Sequence, residues 1–339
     1  MITETAPPEV RKESRRRLRL DDNAIRNLGL VGVLVLLIIV GIITKPDLYS
    51  DPTWVRNNFL TILQQASAIG VVTVGMTFVI IGGGIDLSVG AIIALAGVWA
   101  TTLATQSYGA GGMIFTALVV GLAVGLVNGV LISYGKLVPF IATLAMLVAA
   151  RGLAAQISGK QTQVSTNMTI NDIASTKLLG IPLLVWILGL VVAAGWVLLN
   201  RTTFGRRTVA VGGNPEAARL AGINVKRHTL LLYALSGLCC GIAAIMLTSQ
   251  ATSAQAAMAN LYELDAIAAA IIGGTLLSGG RGTIVGALFG VLVFSTITNL
   301  FAINNLSTEV QNMVKGAIIV VAVLIQQFRY RSLTQLLKR

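Results

Sequence analysis

Apolar residues occur along this chain in long blocks broken by short polar or basic connections. Ten blocks stand out, at 28–44, 59–81, 87–105, 113–134, 138–158, 179–199, 229–249, 264–278, 283–303 and 310–327. A helix needs ~20 mostly apolar residues to cross a hydrocarbon core of ~30 Å. Most of the blocks carry no charge, so each predicts a membrane-spanning α-helix, with 28–44 and 264–278 short for the task. The predicted fold is an all-α integral membrane protein of about ten transmembrane helices. It divides into a basic tail over 1–27, one transmembrane domain over 28–327 containing a polar connection at 200–228, and a C-terminal tail over 328–339.

The basic residues set the orientation, because lysine and arginine collect on the cytoplasmic side of membrane proteins. With the N-terminus inside, nineteen basic residues fall on cytoplasmic segments: Arg11 to Arg26, Lys136, Arg201 to Arg227, Arg281, and Arg329 to Arg339. Only Lys45, Arg56, Lys160 and Lys177 fall on the opposite side. This bias predicts an even number of spans with both termini in the cytoplasm. Arg15-Arg16-Arg17 before an apolar run has the look of a signal peptide. Lys45-Pro46-Asp47 follows, however, where a small-residue cleavage site belongs, so the first span is expected to stay attached.

Composition strengthens the membrane reading. Of the 339 residues 55% are hydrophobic and 11% charged, where a soluble domain carries about 25% charged residues. The 36 glycines include runs at helical spacing, Gly121/Gly125/Gly129, Gly237/Gly241 and Gly286/Gly290, which let helices approach closely in lipid. Ile80–Gly83 and Ile271–Gly274 both read Ile-Ile-Gly-Gly, a short hint of an internal repeat. The net charge of +12 is dispersed among loops with no separate basic domain, so nucleic-acid binding is not expected. Adjacent Cys239 and Cys240 point in different directions on a helix, and His228 is the one histidine, which leaves no metal or haem constellation.

No connection is large enough for a catalytic domain, and no phosphate-binding G-x-x-x-x-G-K-[ST] loop occurs. The reading narrows to a transporter, a channel or a membrane scaffold. Within 200–228, Asn214 or Gly213 is placed to cap a helix, Pro215 suits its first position and Glu216 its positive end. Ala217, Ala218, Arg219, Leu220 and Ala221 continue it, Gly222 stops it, and Ile223 follows. Such a helix of about two turns reads either as an ordinary surface helix or as a docking element for a groove in another protein.

Segment 204–225, with Gly212-Gly213-Asn214-Pro215-Glu216 at its centre, resembles the coupling loop of permease subunits in ATP-binding-cassette sugar importers of the ribose, xylose and galactose type. Gly83-Gly84-Ile85-Asp86-Leu87-Ser88-Val89-Gly90 resembles that family's glycine-rich turn. Val138-Pro139-Phe140-Ile141-Ala142-Thr143-Leu144 with Arg151-Gly152, and Tyr262-Glu263-Leu264-Asp265 continuing to Gly279-Gly280-Arg281-Gly282, resemble two further segments in the same order. The resemblance implies a type II importer bundle, a homodimer of permeases, a cytoplasmic ATPase and an extracytoplasmic sugar-binding protein, in a bacterial inner membrane. It also implies that ATP and Mg are bound by the ATPase partner, none by this chain, and that the 214–223 helix transmits ATP-driven closure.

Charges inside apolar spans are costly and mark candidate translocation or gating residues. Asp86, after Gly83 and Gly84 and before Ser88, reads as a helix cap or as part of a broken helix shaping the path. Glu263 and Asp265 suit a helix start and are also candidates for an outer gate or a docking point. Arg151 lies deep in its span, free to snorkel or pair with an acid, whereas Lys315 is close enough to the outer end to snorkel. Asn128, Asn299 and Gln64 are polar span positions that serve either interhelical bonds or cargo. The rival functions are an importer of branched-chain amino acids or nucleosides with the same architecture, and a secondary transporter working without ATP.

Overall fold

The structure, a computed structural model, describes residues 22–336, with side chains from 26 to 324. Most of the basic 1–27 tail therefore lies outside the described residues. The first half of the chain comprises α1 (Asp22–Thr44), a short α2 (Pro46–Tyr49), α3 (Pro52–Ile81), α4 (Val89–Ala100), a short α5 (Leu103–Gln106), α6 (Gly109–Ser133) and α7 (Pro139–Ile157). The second comprises α8 (Met168–Ser175), α9 (Leu183–Arg201), α10 (Thr203–Gly213), α11 (Pro215–Leu220), α12 (Val225–Ala251), α13 (Tyr262–Ile272), α14 (Ile284–Ile303) and α15 (Thr308–Leu336). Two-residue strands β1 (Gln163–Val164) and β4 (Ser253–Ala254) pair antiparallel, as do β2 (Lys177–Leu178) and β3 (Ile181–Pro182).

Among the described residues, 7 helices are long and apolar enough to cross a membrane: α1, α3, α6, α7, α9, α12 and α14. The blocks expected to span at 87–105 and 264–278 hold shorter helices, α4 with 12 residues and α13 with 11. At 1.5 Å per residue these reach only about 16–18 Å, roughly half of a hydrocarbon core. Each is bounded by a glycine-rich turn that also carries a charge, Asp86 within Gly82 to Ser88 and Arg281 within Gly273 to Thr283, and α4 stops at Ala100, inside its apolar block.

The 200–228 connection is mostly helical. The Thr202 hydroxyl accepts the Gly205 N–H and starts α10 directly after α9. The Asn224 side chain accepts the Arg227 N–H and starts α12 several residues before the expected position. Within 159–178, Asn167 caps α8 in the same way, through the Ile170 N–H.

Helix α3 forms the buried centre, with Met76, Phe78, Ile80 and Ile81 fully enclosed. Helices α6 and α12 meet backbone to backbone. A Cβ on Gly121 would collide with the Gly237 carbonyl, one on Gly125 with the Tyr233 carbonyl, and one on Gly241 with the Ala117 carbonyl. Outward faces of α1, α7 and α9 remain apolar, as at Ile43, Val148 and Leu190, which suits lipid contact.

The two Ile-Ile-Gly-Gly segments close their helices identically. After α3, the N–H groups of Gly82, Gly83 and Gly84 donate to the carbonyls of Phe78, Ile80 and Val79. After α13, those of Gly273, Gly274 and Thr275 donate to Ala269, Ile271 and Ala270, the same offsets. Both are Schellman caps, and Gly83 and Gly274 share a φ of +85°, a conformation costly for any residue with a Cβ.

Candidate functional site

Helix α11 is fixed at both ends by its own neighbours. Asn214 Oδ1 accepts the N–H groups of Glu216 and Ala217, each at 3.0 Å. Pro215 occupies the first position, where no amide hydrogen is needed. At the far end Gly222, at φ +81°, donates its N–H to Arg219, and Ile223 donates to Ala218. Ala218 is buried against the body of the protein, whereas Glu216, Ala217, Arg219 and Leu220 face outward, Leu220 being 77% exposed. The Arg219 guanidinium meets the Glu216 carboxylate at 2.5 Å. It holds that carboxyl below its usual range by hydrogen bond and charge, and its own pKa is raised in return. Just before α11, Gly212 lies against the carbonyl of Ile81 at the α3 terminus.

The turn leaving α3 carries Asp86 to the centre of a buried polar node. One carboxylate oxygen accepts the Ser88 N–H at 3.0 Å and the Ser88 hydroxyl at 2.6 Å. The other accepts the Ser236 hydroxyl of α12 at 3.0 Å. Asn128 of α6 donates to Ser88 Oγ at 2.8 Å, and the Tyr233 hydroxyl donates to the Ile85 carbonyl at 3.1 Å. Asp86, Ser88 and Asn128 are wholly inaccessible. Asp86 lies in the turn between α3 and α4, and the N-cap position of α4 belongs to Ser88, so Asp86 holds the cap residue and is not itself the cap.

Arg151 of α7 lies beside the segment that precedes α13. Its guanidinium donates to the carbonyls of Ala256 at 2.7 Å, Met258 at 3.3 Å and Ala259 at 3.5 Å. That segment is irregular, with Ala259 and Leu261 in the left-handed region, and of the three carbonyls Arg151 reaches only that of Ala259 also takes a main-chain N–H, from Tyr262, so the others need partners. The arginine fork supplies them. Glu263 is buried nearby, and a Cβ on Gly90 would meet its Oε2 at 2.7 Å and Arg151 Nη2 at 3.3 Å. Asp265 pairs with Lys315 of α15 at 3.1 Å, their side chains 15% and 19% exposed. Lys315 is thus held by an acid and does not snorkel.

The structure thus brings Gly83, Gly84, Asp86 and Ser88 into one node, joins Arg151 and Glu263 around Gly90, and places Asp265 with a different partner. Of the polar span positions, Asn128 belongs to the node and Gln64 donates to the Ala174 carbonyl. Ser236 and Tyr233, which complete the node, carry no sequence signal beyond being polar residues one turn apart on α12. Among the described residues, no group of three or more His, Cys, Asp and Glu side chains is arranged to hold a metal.

Residues 58–323 match the family described as branched-chain amino acid transport system / permease component. The chain is 41% identical to the ribose import permease protein RbsC of Bacillus subtilis (strain 168), over 90% of this chain and 94% of that one. It is 36% identical to the L-arabinose ABC transporter permease protein AraH of Azospirillum brasilense, over 90% and 88%. It is 35% identical to the galactose/methyl galactoside import permease protein MglC of Escherichia coli (strain K12), over 88% and 93%. No solved structure matches. A family match across most of the chain, and relatives matched nearly end to end, establish that the chain belongs to the permease-component family and is a multi-pass membrane transport protein.

Proposed function

We propose that this chain is the membrane-spanning subunit of an ATP-driven importer for a monosaccharide, in a bacterial cytoplasmic membrane. The observation that carries the proposal is the near end-to-end similarity to permeases named for ribose, arabinose and galactose. Those names favour a sugar over the amino acid of the family description. The sugar arrives on an extracytoplasmic binding protein, and ATP and Mg act in a cytoplasmic ATPase partner. Two copies of the chain form the permeation unit, each with ten spans and both termini inside. The short helices α4 and α13 are completed as crossings by their flanking turns, which is the broken-helix design of many transporters.

In this reading α11 is where the ATPase engages. It is ordered, projects outward and presents Leu220 beside an ion pair, features that suit a groove on a partner. Asp86, Ser88, Arg151, Glu263 and Asp265, with Gly83 and Gly84, flank the path or its gates. Docking at α11 drives the spans between outward and inward arrangements, because a partner shifts an equilibrium by binding one arrangement better.

The test is reconstitution of this chain with its co-purifying ATPase and binding protein in vesicles, followed by uptake of labelled ribose, arabinose, galactose and leucine. ATP-dependent accumulation of one sugar and not leucine is the expected result. Reversing Glu216 and Arg219 together is expected to lose the ATPase while the permease still inserts. Leucine uptake, or sugar uptake that survives ATP depletion, would overturn the reading.

A further inference from the structure

We infer that Gly212 is a positioning residue that passes displacement of α11, by direct backbone contact, to both glycine-capped turns at once. The inference rests on α11 being where the ATPase pushes. Three stretches of main chain meet here without intervening side chains: the end of α3, the end of α10, and the loop between α13 and α14. A Cβ on Gly212 would collide with the Ile81 carbonyl and come within 2.7 Å of the Gly280 nitrogen. The Gly280 N–H itself donates to that Ile81 carbonyl at 2.8 Å. A Cβ on Gly279 would meet the Gly212 carbonyl at 2.7 Å and Gly83 Cα at 3.0 Å, and one on Gly280 would meet Gly213 Cα at 3.0 Å. Gly83, Gly279 and Gly280 all have positive φ, at +85°, +81° and +75°.

Such a junction behaves differently from a side-chain interface. Side chains absorb a small displacement by changing rotamer, whereas main-chain atoms in van der Waals contact have no such freedom. Only two residues separate Gly212 from the first residue of α11, so movement of that helix reaches Ile81 and Gly280 with little loss. From there one route runs through Gly83 and Gly84 to Asp86 and α4. The other runs through the 273–283 loop to α13, which carries Glu263 and Asp265. A cleft of about 430 Å³ beside the junction, lined by Gly83, Pro215, Tyr233 and Ser278 among others, gives the α3–α4 turn space to move into.

The adjacent glycine supplies a matched control, since a Cβ on Gly213 would meet nothing within 4 Å. In the reconstituted complex, Gly212→Ala is expected to lower sugar uptake and binding-protein-stimulated ATP turnover about tenfold or more. The ATPase should still co-purify in wild-type amount. Gly213→Ala should stay within about twofold of wild type on both readouts. Equal uptake by Gly212→Ala and wild type would overturn the linkage.

Should Gly212→Ala fail to accumulate, a second variant decides. Ser278→Cys places a thiol in the cleft, while the native Cys239 and Cys240 are buried. Its alkylation rate is expected to change about threefold or more when the partner ATPase is trapped with a non-hydrolysable ATP analogue. An unchanged rate would overturn the linkage. A wild-type complex that imports no sugar would instead count against the functional reading, and the nucleotide response of Ser278→Cys would still judge the linkage.

Discussion

Asp86 and Ser236 are joined by a 3.0 Å hydrogen bond across 150 residues of sequence, fastening the α3–α4 turn to the middle of α12. The Ser236 hydroxyl is the one hydrogen-bond donor to that carboxylate oxygen among the described residues. Ser236→Ala therefore strands a buried acceptor, at a cost of about 1–3 kcal/mol. A lower thermal midpoint in detergent is the expected readout. Ser88→Ala is expected to lower it further, since it removes a donor to Asp86 and the acceptor of Asn128 together. An unchanged midpoint for Ser236→Ala would mean that the node does not fasten the turn.

Lys315 and Asp265 form a partly buried pair between α13 and α15. Removing one partner leaves an uncompensated charge, so Lys315→Met is expected to cost about 3–5 kcal/mol. Replacing both, as Asp265→Leu with Lys315→Met, should recover most of that loss. Uptake by the recovered double variant then separates structure from gating. Wild-type transport would assign the pair to packing alone, and lost transport with a normal midpoint would assign it to the gate.

Close contact of α6 with α12 requires glycine at particular positions. Gly125→Val places its side chain on the main chain of Tyr233 and Gly237, for an expected loss of about 1–3 kcal/mol or more by overpacking. Gly152→Ala, where a Cβ would meet nothing within 4 Å, is the control and should be neutral. Size-exclusion profiles of the two variants in mild detergent check both expectations.

The Glu216 carboxyl is held below its ordinary pKa by Arg219. Its contribution to folding is therefore fully present above the unfolded carboxylate pKa and is lost as pH falls through the lowered value. Both side chains are exposed, so salt screens the pair and its worth to stability is small. Glu216→Gln is expected to leave the thermal midpoint unchanged at pH 7 while weakening retention of the ATPase on an affinity column. A large drop in midpoint would show the pair to be structural.

Helix α11 was legible because every signal for it is local: a capping Asn214, Pro215 at the first turn and Gly222 at the stop all lie within a few residues. The glycine faces of α6 and α12 and the paired Ile-Ile-Gly-Gly segments were visible for the same reason. Helix lengths were not. Block 87–105 stays apolar through Leu103 and Ala104, yet α4 ends at Ala100, and the Thr101 hydroxyl that follows it donates to Gln163, a contact distant in sequence. The partners of Arg151 and Lys315 were hidden too. One binds carbonyls more than a hundred positions away and the other an aspartate on a different helix, distances over which a single sequence carries no pairing information. Ser236 and Tyr233 owe their roles wholly to the angle at which α12 meets the turn.

Pairing of β1 with β4 joins Gln163 to Ala254 and Val164 to Ser253, so the connection after α7 is stitched to the chain leaving α12. Two connections that would otherwise fluctuate separately thus share one anchor. Any contact made on these connections would meet a surface whose shape is already set, since the loss of loop freedom has been incurred during folding.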